Sequence, residues 1–407
     1  MVLGIIAEYN PFHNGHLYHL LKAKELTKDN YTIAIIGGNF TQRGEASLVD
    51  KWVKTEMALA NGIDLVIELP LLYSISSAEN FADGAIKILN SLKLVDHIAF
   101  GGETDDLRLL NIIANTLFEE PKDFKLLLDV FLSTGISFPK AREKALLAYL
   151  NDDQYRNIIS MPNNILAIEY LKALKKYKSR IKPVLLRRKD SGFLSLDYKG
   201  DLASSTAIRN KLKTSNIDSI KNLIPPTTYT ILNEEFKLGH YVRDISCFEK
   251  IILYKFRNMS IQEIANLPDV SEGLENSLKK AACSCNTFKE FINIVSSKRY
   301  TETRLKRIML YCLLDISKKD MQISKRTTPY VRVLGFNKKG EFLLSKISKA
   351  NPKLACVTSV KKFIDSPINK SLNTLINKDI HSTDIYTLGF ANDSWSNLDF
   401  TKKIIKK

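Results

Sequence analysis

Val2-Leu3-Gly4-Ile5-Ile6-Ala7 runs straight into Glu8-Tyr9-Asn10-Pro11-Phe12-His13-Asn14-Gly15-His16, and then into Leu17-Tyr18-His19-Leu20-Leu21-Lys22-Ala23-Lys24. The first six residues have the length and composition of a buried strand. Asn10, Pro11, Asn14 and Gly15 mark a turn, and a helical pattern follows. Three of the chain's six histidines lie in this stretch. His13 and His16 are three apart, so on a first helical turn they share a face. Gly15 has no side chain, which lets a ligand approach the backbone. Free N–H groups and the dipole at a helix N-terminus attract phosphate. Two imidazoles there can donate hydrogen bonds as charge shifts during a transfer. Histidines at a helix start also serve as plain polar caps. The position after a first strand favours chemistry, because open α/β sheets bind ligands at the carboxyl ends of their strands.

Outward from this stretch, strands and helices alternate. Strands are expected at 31–36, 64–70, 96–100 and 182–186, with helices at 50–61, 78–92, 105–117, 123–132, 141–150 and 163–176. Several strands end in glycine, as in Gly37-Gly38-Asn39 and Gly101-Gly102-Glu103. The alternation predicts a Rossmann-like, doubly wound parallel sheet over residues 1–222. Ser204-Ser205-Thr206-Ala207-Ile208-Arg209 is a second notable group. Hydroxyls and N–H groups at a helix start can hold a phosphate leaving group, although the same residues make an ordinary N-cap.

Pro225-Pro226 marks a boundary, and residues 223–320 read as an all-helical domain. Its most charged part includes Arg299, Tyr300, Arg304, Lys306 and Arg307. Arginines with an interleaved tyrosine suit phosphate contact and base stacking, as they also suit a solvated helix face. Lys318-Lys319 and Lys325-Arg326 read as a basic linker. Residues 321–407 read as a small C-terminal α/β region, with a strand at 330–336 and a turn at 337–340.

The composition is that of a globular protein, with 44% hydrophobic and 26% charged residues. No apolar run is long enough to span a bilayer. No basic n-region or cleavage site precedes the first strand, so no signal peptide is expected. Five cysteines at irregular spacing predict reduced thiols in a cytoplasmic protein, without a metal cluster or a disulfide framework. Charge divides the chain. Residues 1–150 hold 14 basic and 19 acidic side chains, whereas the whole chain carries +16. The basic excess therefore lies entirely in the second part. This predicts an enzyme domain joined to a polyanion-binding surface.

Together these segments resemble the nucleotidyltransferase branch of the Rossmann-like superfamily that includes class I aminoacyl-tRNA synthetases. Within it, the run from Glu8 to His19 is similar to the bacterial tRNA(Met) cytidine acetate ligase family. Residues 38–45, 100–103, 162–170 and 205–209 resemble that family too, with Ala167 where a glycine is expected. The resemblance implies an ATP-dependent ligase that makes acetyl-adenylate from acetate. The acetyl group would pass to N4 of the wobble cytidine, position 34, of elongator tRNA(Met). It implies ATP contacts from Ile6 through His19, that is Ile6, Ala7, Glu8, Tyr9, Asn10, Pro11, Phe12, His13, Asn14, Gly15, His16, Leu17, Tyr18 and His19, and from Gly101, Gly102, Asn163 and Arg188. Asn164 and Arg187 are the adjacent alternatives to the last two. His13 and His16, with Ser205 and Thr206, are the expected catalytic residues, with Arg209 behind the latter pair. Mg²⁺ is expected to accompany ATP, and the tRNA anticodon loop is the expected partner of the basic helical domain. The competing reading is a small-molecule adenylyltransferase, which would not need so basic a second half.

Overall fold

A computed structural model of the chain describes residues 1–188, 202–297, 300–366, 369–392 and 395–407. Its strands are β1 (Val2–Ala7), β2 (Tyr31–Gly37), β3 (Leu65–Leu69), β4 (His97–Gly102), β5 (Lys182–Arg187), β6 (Val331–Phe336), β7 (Cys356–Val357) and β8 (Ile405–Lys406). They form one sheet in the order β5-β4-β1-β2-β3-β6-β7, with β8 also paired to β6. The first five strands are parallel. The chain winds outward from β1 through β2 to β3, then crosses back to lay β4 on the other side of β1. Strand order therefore reverses between β1 and β4, which is where such sheets open a ligand crevice.

The strands are apolar throughout because both faces are covered. Successive side chains leave a strand on opposite faces. Ile33 and Ile35 of β2 join one core with Ile67, Phe81, Ile86 and Leu171. Ala34 and Ile36 join another with Leu20, Ala23 and Met57. Helices Ala78–Ser91 and Pro162–Lys176 cover the first face, and Asn14–Thr27 and Lys51–Ala60 the second.

The region after Pro225 is helical as expected, with helices including Pro226–Leu238, Glu249–Asn258, Leu274–Ser284, Phe288–Val295 and Glu302–Leu313. It leans on the sheet domain through Phe248 against Phe40, 6.0 Å between ring centres, and through the Tyr311 hydroxyl, which donates to the Ile75 carbonyl. Lys318-Lys319 and Lys325-Arg326 lie in a helix, Lys318–Arg326, and not in the expected linker. Ser317 and Asp320 cap each other at its start, and Met321 and Ser324 are buried on its inner side. The Ser-x-x-Asp signature of a capping box was present in the sequence and outweighs the high charge.

The C-terminal region is α/β, and its strands belong to the same sheet. β6 runs antiparallel along β3, with Leu65 opposite Phe336 and Glu68 opposite Arg332. A group of buried charges locks this seam. Lys51 Nζ lies 3.0 Å from Glu68 and 2.8 Å from Asp399. Arg332 reaches Glu68 at 3.2 Å and also pairs with Asp399. Helix Lys370–Thr387 braces the same region. Its buried Asp379 accepts hydrogen bonds from the Leu71 N–H and the Tyr330 hydroxyl, and its Thr383 hydroxyl accepts one from the Asn39 amide. No helix among the described residues is long and apolar enough to cross a membrane. All five cysteines are free thiols.

Candidate active site

A cleft of about 760 Å³ opens at the carboxyl ends of β1 and β4, at the point where strand order reverses. Its first wall is the turn after β1. Tyr9 there has a left-handed backbone, φ +44°, which is uncommon outside glycine and turns the chain sharply after Glu8. The buried Tyr9 ring packs on Phe12 and on the edge of His16.

His13 is the N-cap of helix Asn14–Thr27. Its Nδ1 accepts the Gly15 N–H at 3.0 Å, and His16 Nδ1 accepts the His13 N–H at 3.3 Å. The two rings stack, 3.7 Å between centres. A neutral imidazole whose Nδ1 accepts must carry its proton on Nε2. Both rings are therefore fixed as Nε2–H donors. Burial, with the Arg188 and Arg209 charges, pushes His13 down to about 3. Burial first, then the repulsion a charged His16 would meet beside His13, Arg188 and His19, pushes His16 well below its usual value. Burial and Arg188 bring His19 to about 4. All three are neutral at pH 7, so His13 and His16 can offer their Nε2–H groups without being imidazolium.

Gly15 has a more particular role than the sequence suggested. A Cβ there would lie 2.9 Å from His13 Cε1 and 3.0 Å from its Nδ1, so the His13 ring takes up the space. Gly15→Ala is expected to push that ring off its cap. The lost cap costs about 1 kcal/mol of stability. The displaced donor lowers nucleotide turnover by roughly 10²-fold. Thermal melting and an ATP–pyrophosphate exchange assay read the two effects separately.

The second wall comes from β4, β5 and helix Pro162–Lys176. The Glu103 carboxylate accepts the N–H groups of Asn163 and Asn164 at the helix start. Asn164 is buried, and its side chain accepts the Glu103 and Thr104 N–H groups while donating to the Ile158 carbonyl. Asn163 lines the cleft, and its Oδ1 accepts from Arg188 Nη1 at 3.2 Å. Of the two neighbours, Asn163 is thus the one facing the cleft. Arg187 also lines it but is largely exposed and lies 3.5 Å from Asp105.

The third wall is the start of helix Ser205–Thr214. Ser204 caps it by accepting the Ala207 N–H, which leaves the Ser205 and Thr206 hydroxyls on the cleft lining. Arg209 ties this wall to the first, donating to the Asn10 carbonyl at 2.8 Å and to Thr206 Oγ1 at 3.4 Å. Among the described lining residues, Arg43, Arg187, Arg188 and Arg209 face a single carboxylate, Glu8. Such a cleft favours a polyanion.

The structure brings Ile6, Ala7, Glu8, Tyr9, His13, Gly15, His16, Tyr18, His19, Gly101, Asn163, Arg188, Ser205 and Thr206 to this one cleft. Asn10, Pro11, Phe12, Asn14, Leu17 and Gly102 are not on its lining. They build its frame. Asn10 Oδ1 accepts the Leu48 N–H, and the Asn14 amide donates to the Asn222 carbonyl. Gly102 lets the Asn164 side chain approach, 3.0 Å from where a Cβ would stand.

Sequence reasoning did not place Gln42, Arg43, Phe81, Phe100, Leu166 or Tyr170 at the site, yet all line the cleft. The Gln42 N–H donates to Glu8 Oε1 at 2.7 Å, so the loop after β2 folds over the first wall. Helical periodicity marks Phe81, Leu166 and Tyr170 as core. It gives no sign that this part of the core opens onto a cleft.

The expected tRNA contacts lie elsewhere. Arg304 stacks over Tyr300 and donates to the Asp269 carbonyl and to Ser271 Oγ. Arg307 donates to the Asp269 carboxylate. Lys306 donates to Glu45 at 2.6 Å and pairs with Glu302 at 2.9 Å. These cations are engaged by protein acceptors, some of them far away in sequence, which spacing cannot reveal. Arg299 lies outside the described residues.

The family model described as HIGH Nucleotidyl Transferase matches residues 1–399. A tRNA(Met) cytidine acetate ligase of Thermoanaerobacter sp. (strain X514) is 47% identical, covering 100% of this chain and 99% of that one. The chain belongs to the tRNA(Met) cytidine acetate ligase family. A member of this family from Acetivibrio thermocellus is 40% identical over 99% of both chains. The crystal structure of Thermotoga maritima TmcAL bound with alpha-thio ATP superposes with a TM-score of 0.93 at 32% identity. It covers 100% of this chain and 99% of that chain.

Proposed function

We propose that the protein joins acetate to ATP as acetyl-adenylate. It then transfers the acetyl group to N4 of the wobble cytidine, position 34, of elongator tRNA(Met). The observation that carries this reading is the pair of fixed Nε2–H donors, His13 and His16, at a helix start in an arginine-lined cleft. An acetate oxygen attacks the α-phosphorus, the bond to the β-phosphate oxygen breaks, and pyrophosphate leaves. Such a displacement is accelerated mainly by positioning and by stabilising charge on the phosphoryl oxygens. His13 and His16 donate to those oxygens. Ser205, Thr206 and Arg209 hold the departing pyrophosphate, and Arg188, steadied by Asn163, adds a second cation. Gly101 leaves room for the adenosine beside β4. The buried His19 Nε2 has no protein partner among the described residues, as suits an atom waiting for a ligand.

No cluster of three or more His, Cys, Asp or Glu side chains able to hold a metal occurs among the described residues. Mg²⁺ in this reading arrives on the ATP phosphates and is held chiefly by them, as is common for this ion. In the second step the cytosine amine attacks the acetyl carbonyl and AMP departs. That amine is weakly nucleophilic because its lone pair is delocalised into the ring, hence the activated donor. The unpaired bases of an anticodon loop can be splayed out at low cost.

The test is to incubate the full chain with unmodified tRNA(Met), ATP, Mg²⁺ and isotope-labelled acetate, then analyse the nucleosides by mass. Label in N4-acetylcytidine is the expected result. Acetate-dependent AMP release without labelled tRNA would assign the acetyl group to another acceptor.

A further inference from the structure

Arg209 lines two hollows. One is the cleft, and the other, about 330 Å³, lies beyond it between helices Ser205–Thr214 and Pro226–Leu238. Its volume is within the usual range for small-ligand sites. Phe236 and Tyr241 contribute two parallel rings, 4.2 Å between centres and 1° between planes. Lys237 and Arg243 stand on the lining, exposed, with no hydrogen bond or ion pair among the described residues. Asn216 and Asn233 each bring an amide with no side-chain partner among those residues.

We propose that this hollow receives the nucleotide next to the acceptor cytidine in the tRNA loop. The proposal rests on the acetyl-transfer reading above. In that reading the cytosine amine must enter the cleft, where the activated acetyl forms. The strand then continues past Arg209, and the next nucleotide meets the second hollow. Paired aromatic rings offer a stacking face. An amide presents both a donor and an acceptor to a base edge. Uncommitted cations take the phosphate, since they give up no protein partner to do so. Arg304, Lys306 and Arg307 are by contrast already engaged by Asp269 and Glu45. A small acceptor would fill one hollow, whereas two hollows joined by one arginine suit a chain of nucleotides.

The test uses the full chain and an unmodified tRNA(Met) transcript carrying 4-thiouridine in the anticodon loop. The Lys237→Glu/Arg243→Glu double variant is expected to weaken transcript binding at least tenfold. Acetate-dependent pyrophosphate exchange without tRNA should stay at the wild-type rate. Photocrosslinks from the wild type should fall within residues 212–243. Unchanged binding in the double variant, or crosslinks confined to helix Glu302–Leu313, would overturn the proposal. If the double variant loses exchange as well, Asn233→Ala decides, since it removes one amide and no charge. A KM for tRNA raised threefold or more, with normal exchange, supports the hollow, and an unchanged KM rejects it. A wild-type protein that binds the transcript but never acetylates it would defeat the acetyl-transfer reading alone, because the binding data still judge the hollow.

Discussion

His16→Ala is expected to slow acetate-dependent pyrophosphate exchange by about 10²–10³-fold, equivalent to roughly 3–4 kcal/mol of transition-state stabilisation. The protein should stay folded. His16 touches the rest of the turn through ring contacts with Tyr9, Phe12 and His13 and through a 3.3 Å bond from the His13 N–H, which is long and weak, and all of these lie within residues 9–16. In the proposed reaction its Nε2–H, fixed by that same bond, is the group offered to the phosphate. The loss should therefore appear equally in kcat and kcat/KM, as for an interaction made only in the transition state. A variant with normal exchange would remove His16 from the mechanism. The pH profile gives a related expectation. Burial and the neighbouring cations keep His13 near 3 and His19 near 4. The free-enzyme kcat/KM should therefore show no acid limb near pH 6.5, where an ordinary histidine titrates. Such a limb would mean that the rings ionise in the working enzyme.

Arg332→Met is the second large effect, and it acts on stability. The substitution leaves Glu68 and Asp399 buried with Lys51 as the charged partner that remains in these ion pairs. Removing one member of a buried ionic group costs about 3–5 kcal/mol, because the survivors stay desolvated. The pH dependence has a defined sign. Burial raises Asp399, but Lys51 and Arg332 outweigh it and hold the carboxyl at about 2. A carboxylate lowered in the fold stabilises above its unfolded value, about 3.9, and loses that contribution as pH falls through the folded value. Without Arg332 the Asp399 value rises, and protonation relieves the penalty. The melting difference between variant and wild type should be largest at pH 7 and shrink toward pH 4. A difference independent of pH would mean that lost packing, and not charge, accounts for the effect.

Much of this was legible in the sequence because the signals are local. The apolar run of β1, the Pro/Asn/Gly turn and the two histidines lie within sixteen residues, and their spacing carries both the strand–helix order and the chemistry. The long strands and helices through residue 187 follow from the same periodicities, whereas the one-turn helices Leu71–Ser74 and Arg156–Ile159 are too short to show one. The unread part is long-range. Nothing in Tyr330–Phe336 says that β6 pairs with β3, since an apolar strand fits many edges. Asn163 and Asn164 read alike until the structure puts one in the cleft and buries the other among N–H groups. Arg304 and Arg307 read as phosphate ligands because their acceptor, Asp269, belongs to another turn of chain. Gly15 was legible as a glycine that matters, but its neighbour, the His13 ring, was not.

The seam between β3 and β6 has a meaning for how the chain is made. On a ribosome, β3 emerges about 260 residues ahead of its antiparallel neighbour. At about 5–20 residues per second, roughly 13–50 s pass before Arg332 follows Glu68 out of the exit tunnel. Through that interval the nascent sheet presents a bare edge, with Lys51 and Glu68 lacking two of their charged partners. An open edge next to unneutralised charge invites mispairing. The nascent protein is thus most vulnerable when its nucleotide cleft is fully synthesised but the C-terminal region has yet to close the sheet.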